Sequence, residues 1–542
     1  MEPRKGNRTM AVFSELLCAV IVSVVLVGTA DGGAAQTAAG DTNPAVTATG
    51  NFALDLYRQL AAKRRGENLF FSPFSMSSVL AMAAEGARGE TAMEMGKVLR
   101  FPSATRNTAA DARSRPWNTA LIHAGMATLE ERFRSKPVPK KLEERIASLR
   151  KQLDEANRAA QGEPIIVERP GKRPGEIEIE ARPPTDEDFE KRRAAAKRSQ
   201  ELAGELNKLL PEVDLYELRA ANAVWCEKNY PFQPAYLETI RKFYRTGGAF
   251  FADFSGDAER ERQRINAWIE SQTSRRICDL VPSGGLDEKT RLVLTNAIYF
   301  KGQWLKPFEA SETKDEDFTL AAGSKVRVPM MHHEHLGVAR YAAFNADGTL
   351  FPTPDGLPRG GWLAPETLYP GKGGFQIAES PYKGGTLAMA VILPRDADGL
   401  PALEQKLTRT NLEAWLGRLQ QREIQLHLPK FRLETGYAMN EPLQALGMVR
   451  AFDRQTAEFD GISPGRGQEK LYVANVFHKA FVDVNEKGTE AAAGTMLGAY
   501  GALRSVAPFI PTFRADRPFL FMIRDVKTGT ILFLGRLASP KG

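Results

Sequence analysis

The pentapeptide Gly461-Ile462-Ser463-Pro464-Gly465 has the G-x-S-x-G spacing that lifts a nucleophilic serine onto a sharp turn between a strand and a helix. Pro464, Gly465 and Gly467 follow the serine and form no helical run, so the context for acyl-transfer chemistry is missing. His332, His333 and His335 stand beside Glu334 and carry donor atoms that a transition metal takes, but they read as surface residues with adventitious affinity. No catalytic set, functional metal or cofactor is expected, and the chain reads as a non-enzyme. A mechanical kind of chemistry is suggested by residues with inert side chains: Thr489, Ala491, Ala493 and Thr495 are all small and spaced by two. In an extended segment these share one face. A segment that slides into the middle of a finished sheet needs a small face there, because a bulky or charged group overpacks the core or buries an unpaired charge, at roughly 1–3 kcal/mol or more. A flexible Ala/Gly linker has no need of the alternation.

Such a segment requires a large sheet to receive it. Beyond Leu215, strand-like runs at 291–300, 387–393, 423–428, 477–484 and 519–534 alternate with helical stretches, which predicts an α+β domain built on large sheets. Upstream, Phe52, Leu54, Leu56 and Leu60, then Val79, Met82 and Ala83, fall at helical spacing, and Ser72-Pro73 suits the first turn of a new helix.

Phe513-Arg514-Ala515-Asp516-Arg517-Pro518-Phe519-Leu520-Phe521-Met522-Ile523 resembles the C-terminal signature of the serpin family. Asn68-Leu69-Phe70-Phe71-Ser72-Pro73-Phe74-Ser75, Asn222-Ala223-Val224-Trp225, Asn296-Ala297-Ile298-Tyr299-Phe300-Lys301-Gly302-Gln303-Trp304 and Leu428-Pro429-Lys430-Phe431 join it in the family's order. The resemblance implies a serpin fold over 51–540, with large mixed β-sheets surrounded by about eight or nine helices and an exposed reactive-centre loop. Asn485-Glu486-Lys487-Gly488-Thr489-Glu490-Ala491-Ala492-Ala493-Gly494-Thr495 resembles the hinge of inhibitory members, so Glu486, Gly488, Thr489, Glu490, Ala491, Ala492, Ala493, Gly494 and Thr495 are the expected hinge. The implied function is suicide inhibition of a serine protease, with a cysteine protease as the alternative target. The protease attacks the loop, an acyl-enzyme forms, and insertion of around 15 residues at about 3.3 Å each carries it roughly 50 Å. The rival reading is a serpin-fold binding or chaperone module without inhibition. The family further implies that Ser72, Ser75, Asn222 and His478 form the shutter beneath the strands that part, and that Trp225 lies at the breach where the loop enters.

The reactive bond has two main candidates, with a neighbouring bond such as Tyr500-Gly501 left open. The loop length usual in inhibitory members, counted from Glu486, points to Ala502-Leu503 and an elastase-like target. Counted back from Pro518-Phe519, Arg504-Ser505 takes the place of a trypsin-directed bond, whose arginine pairs with a carboxylate in the protease pocket.

Composition sets the remaining bounds. Hydrophobic residues make up 43% of the 542 residues and charged residues 26%, so a real core is available. The net charge of +7 lacks the clustered field of a nucleic-acid binder. Arg4, Lys5 and Arg8 precede an apolar run at 16–27 and small residues at 30–35, the order of a secretory signal. The run is about a dozen residues against the roughly 20 of a spanning helix, so a secreted or extracytoplasmic monomer with no membrane span is expected, in the periplasm or at the cell surface if bacterial. Residues 1–35 form the signal and a short linker. Cys226 and Cys278 would remain, and their pairing is open.

Residues 136–200 read as an inserted charged arm, with a stripe of Leu142, Ile146, Leu149, Leu153 and Ala156, a turn-rich hairpin, and Thr185 and Asp188 as a capping box for a returning helix. Lys191, Arg192, Arg193, Lys197 and Arg198 read as a solvated face of that helix, with polyanion binding as the alternative. Residues 345–374 read as a Gly/Pro-rich loop insertion.

Overall fold

The computed structural model describes residues 43–541 apart from 110, 135–138, 162–164, 171–176, 183–184, 210–215, 246, 352–372, 466–468 and 489–509. α1 (Pro44–Lys63) begins ahead of the apolar spacing because Asn43 accepts a hydrogen bond from the Ala45 N–H and Pro44 takes the first turn, where its missing donor costs nothing. β1 (Leu69–Phe71) is a buried apolar triplet. Ser72 then caps α2 (Pro73–Gly86), its hydroxyl accepting from the Ser75 N–H, and α2 is buried on nearly every side. α3 (Gly89–Val98) and α4 (Thr119–Phe133) follow.

Between α4 and the next large strand lie α5 (Lys140–Gln161), β2 (Ile165–Pro170), β3 (Ile177–Arg182) and α6 (Asp186–Leu209). Ile146, Leu149 and Leu153 pack against Leu202 and Leu206, with Leu142 and Ala156 at the margin, so the two charged helices share one apolar seam. β2 and β3 pair antiparallel. At the start of α6 the Thr185 N–H donates to Asp188 Oδ2 at 2.8 Å and the Asp188 N–H to Thr185 Oγ1 at 3.3 Å.

The rest of the chain runs β4 (Tyr216–Glu227), α7 (Pro234–Phe243), β5 (Gly247–Ala252), α8 (Phe254–Gln272), β6 (Leu292–Gly302), β7 (Lys314–Thr319), β8 (Lys325–Phe344), β9 (Phe375–Pro381) and β10 (Leu387–Pro394). It continues through α9 (Leu400–Lys406), α10 (Arg409–Gly417), β11 (Gln420–Pro429), β12 (Phe431–Ala438), α11 (Asn440–Ala445), β13 (Val473–Val484), β14 (Thr512–Arg514), β15 (Phe519–Asp525) and β16 (Ile531–Leu537). The run at 519–534 is therefore two strands, broken where Asp525 accepts from Lys527 and Thr528 and Gly529 takes φ +73°.

A five-stranded sheet has the order β12-β13-β6-β4-β5, and a nine-stranded sheet runs β1-β16-β15-β10-β9-β8-β11-β14 with β7 beside β8. The five-stranded sheet is covered on both faces. Ala221, Ala223 and Trp225 of β4 join Val293, Ala297 and Tyr299 of β6 and Phe477 and Phe481 of β13 in a cluster closed by Ile265 and Ile269 of α8. The alternate residues, Val224 and Cys226 of β4 with Leu294 and Ile298 of β6, face the main core with α2. Helices packed around two large mixed sheets make this an α+β fold.

Candidate functional site

β6 and β13 are parallel neighbours in the middle of the five-stranded sheet, and Asn296 stands opposite His478. Both side chains are fully buried, as are Ser72 and Ser75, with Asn222 nearly so. The His478 Nε2 accepts the Ser72 N–H at 3.1 Å, which places the ring proton on Nδ1, facing Asn296 Oδ1. Asn296 donates in turn to Ser75 Oγ at 2.6 Å and to Asn222 Oδ1, while the Ser75 hydroxyl donates to Asn222 Oδ1 at 2.9 Å. Ser72 Oγ donates to the Leu532 carbonyl at 2.6 Å. The N-terminus of α2 thus pins three strands of one sheet, β4, β6 and β13, to β16 of the other. Parting β6 from β13 breaks the His478–Asn296 bond.

Burial drives the His478 imidazole down to about 3. Its unfolded value is near 6.5, so the folded state holds the ring neutral where the unfolded chain takes up a proton. The contribution to stability is complete above about pH 6.5 and is lost progressively as pH falls toward 3. Urea unfolding between pH 4 and pH 8 is expected to show a steeper acid decline in the parent than in His478→Asn. Parallel profiles would remove His478 as the source.

The chain leaves β13 and reverses at once. Asn485 and Gly488 bond each other through both backbone groups, at 2.8 and 3.0 Å, around Glu486 and Lys487. Gly488 also bridges antiparallel to Gln303, just past the end of β6. Gly488 has φ +118°, and a Cβ there would lie 2.2 Å from the Gly302 carbonyl and 2.6 Å from the Trp304 nitrogen. The turn is therefore wedged between the ends of β6 and β13. A strand entering there runs antiparallel to both.

Glu486 holds the turn to the sheet edge. Its carboxylate pairs with Lys430 at 2.9 Å and accepts from Thr313 Oγ1 at 2.9 Å, and its carbonyl accepts the Phe308 N–H at 2.8 Å. Burial raises its pKa, but the bonds from Lys430, its own backbone and Thr313 outweigh this and keep it below the ordinary glutamate range. The Trp304 indole N–H donates to the Asn485 carbonyl at 3.0 Å, and its ring stacks on Tyr382 with centroids 4.7 Å apart.

This corrects the place of Trp225. It lies opposite Val293 at the start of β6, whereas the turn lies beyond Gly302, so the two are roughly 30 Å apart at about 3.3 Å per residue. Trp225 is a buried residue beneath α8, its indole N–H donating to Thr295 Oγ1 at 2.9 Å. The tryptophan beside the turn at Asn485–Gly488 is Trp304. Asn296, Trp304 and Lys430 were each present in the motifs that carry the resemblance, but their roles depend on strand register and become visible only in three dimensions.

Glu486 and Gly488 are described. Thr489, Glu490, Ala491, Ala492, Ala493, Gly494 and Thr495, and the bond candidates Ala502, Leu503, Arg504 and Ser505, lie outside the described residues, as do the signal at 1–35 and 352–372 of the Gly/Pro-rich insertion. Ser463 is buried in a turn, its Oγ accepting from the Gly465 N–H, with neither a strand directly before it nor a helix after it among the described residues. His332, His333 and His335 do not converge. His332 is buried, His333 donates to the Pro307 carbonyl and is driven by burial and Lys306 down to about 4, and exposed His335 pairs with Glu423 at 2.9 Å. On α6, Lys191 pairs with Glu187, Arg193 with Glu190 and Arg198 with Glu201. These are pairs along a solvated helix face. Cys226 is buried, Cys278 half-buried, and both are free. No helix among the described residues is long and apolar enough to cross a membrane.

Comparison with known proteins accounts for this architecture. The family profile described as "Serpin (serine protease inhibitor)" matches residues 47–149 and 181–540. Serpin B3 of Homo sapiens is 33% identical over 491 residues, which is 90% of this chain and 97% of that protein. Antithrombin-III of Mus musculus is 37% identical over 326 residues, 60% of this chain and 63% of that protein. Among solved structures, uncleaved ovalbumin has a TM-score of 0.62 at 24% identity, covering 91% of this chain and all of that one. Human thyroxine-binding globulin has a TM-score of 0.62 at 23% identity, covering 92% and 99%. Those two likenesses speak to the fold, and the profile and the sequence relatives settle the lineage: the chain belongs to the serpin family.

Proposed function

We propose that the chain is an inhibitory serpin that presents a loop within 489–509 to a serine protease and traps the enzyme as an acyl ester. The protease serine attacks the carbonyl of the residue before the cut, Ala502 on the loop-length count or Arg504 on the alternative, and the amine of Leu503 or Ser505 leaves. The freed loop end then enters the seam between β6 and β13 and carries the acylated protease with it. The observation that carries this reading is the turn at Asn485–Gly488, which already pairs with Gln303 at the end of that seam. Thr489, Ala491, Ala493 and Thr495 follow directly, with the small face that insertion demands. The basic and apolar N-terminal run supports action outside the cytoplasm, on a serine protease or alternatively a cysteine protease.

Insertion adds a central strand with two hydrogen-bonded ladders. At about 1 kcal/mol net per bond, roughly a dozen new bonds offer on the order of 10 kcal/mol. A chain this long gains about 1 °C per kcal/mol. Nicking the native protein in its loop with a protease it does not inhibit is therefore expected to raise the melting temperature by about 10 °C or more. An unchanged or lower melting temperature after a clean nick would favour a serpin-fold binding or chaperone module.

A further inference from the structure

Away from the seam, the strand that follows the loop brings together four side chains used by neither the hinge nor the shutter. Glu316 of β7 is opposite Val328 of β8, and His332 lies four residues further along the same face of β8. His427 of β11 is opposite His332, and Arg514 of β14 is beside His427. Donor atoms of Glu316, His332 and His427 all lie within 4.8 Å of one another. The two imidazole centroids are 4.5 Å apart, and the histidines are only 9% and 7% exposed.

We propose that Glu316, His332 and His427 bind a zinc-class divalent cation, in competition with the guanidinium of Arg514. The His332 Nε2 is buried and 3.1 Å from Glu316 Oε1, yet makes no hydrogen bond of usable geometry. A ring nitrogen and a carboxylate oxygen at that separation, but off the N–H···O line, match two ligands of one tetrahedral ion, which at bond lengths of about 2.0–2.1 Å stand about 3.3 Å apart. Two imidazoles and one carboxylate are a donor set that zinc takes, with the fourth position left to water. Arg514 now donates to Glu316 Oε2 and approaches His427 Nδ1 at 3.4 Å. It has somewhere to go: its side chain is 39% exposed, and its Nε is 3.3 Å from Asp516 Oδ2. Exchange of the guanidinium for the ion keeps a positive charge against Glu316.

Titration of the tag-free, metal-stripped full chain with Zn²⁺ by calorimetry tests this. One equivalent is expected to bind. His332→Ala and Glu316→Gln, the second preserving side-chain size, are each expected to weaken binding by about tenfold or more. Arg514→Met is expected to tighten binding, and His335→Ala to leave it unchanged. Cooperative melting of each metal-free variant establishes that it is folded. Absence of binding, loss of binding in His335→Ala but not in His332→Ala, or an Arg514→Met affinity no better than the parent's would overturn the proposal.

Discussion

An Ala493→Arg variant is expected to be cut in its loop at the parental rate and to trap no protease. On the trapping reading the loop is substrate before it is strand, and an arginine at this position, nine residues or more before the cut, does nothing to hinder attack at Ala502 or Arg504. Once the acyl ester forms, two steps compete: insertion into the seam, and water releasing the protease intact. Insertion places the residue-493 side chain among groups packed at the density of an organic crystal, with no anion provided for it. A cost of about 3 kcal/mol in the insertion barrier slows it by about a hundredfold, enough for hydrolysis to win. The stoichiometry of inhibition then rises by up to about a hundredfold while the cleavage product accumulates. Glu490→Arg is the control, because position 490 has the opposite parity and already carries a charge. Trapping by Ala493→Arg at the parental stoichiometry would contradict insertion of that face.

His478→Ala is expected to cost about 3–5 kcal/mol, the largest loss of any single change in the buried polar network beneath the sheet. It removes a buried ring and leaves the Ser72 N–H and the Asn296 Oδ1 without the imidazole partner they have at the centre of the sheet. The change also removes the buried side-chain bond between β13 and β6, so the seam is expected to open more readily to strand addition from another copy. Equilibrium unfolding in urea measures the first effect, and light scattering at a fixed mild temperature the second. A loss under about 1 kcal/mol would mean that water replaces the imidazole and that the network is not what closes the sheet.

The fold class was legible because the strand-like runs and the quoted motifs are long and strongly patterned. What could not be read was which strands are neighbours. Ser72, Ser75, Asn222 and His478 stand out in the sequence as polar residues in apolar segments, but Asn296 does so equally, and only the parallel register of β6 and β13 shows that it bonds His478. Trp225 and Trp304 look alike as tryptophans near family motifs. They separate because one sits at the start and the other past the end of the β6 line, a distinction that depends on pairing across long stretches of chain. Glu486 stood out through its motif, whereas Lys430, between β11 and β12, and Thr313, just before β7, hold it from distant parts of the chain. His332 was grouped with its sequence neighbours, but alternation along β8 turns it toward His427 and Glu316 instead.

Protease trapping is tested most directly by mixing the purified protein separately with an elastase, a chymotrypsin-like and a trypsin-like protease, resolving the products on denaturing gels and weighing the released C-terminal peptide. Suicide inhibition predicts a heat-stable covalent complex with at least one enzyme and a peptide beginning at Leu503 or at Ser505. Clean cleavage by all three, with no complex and the proteases left active, would contradict it.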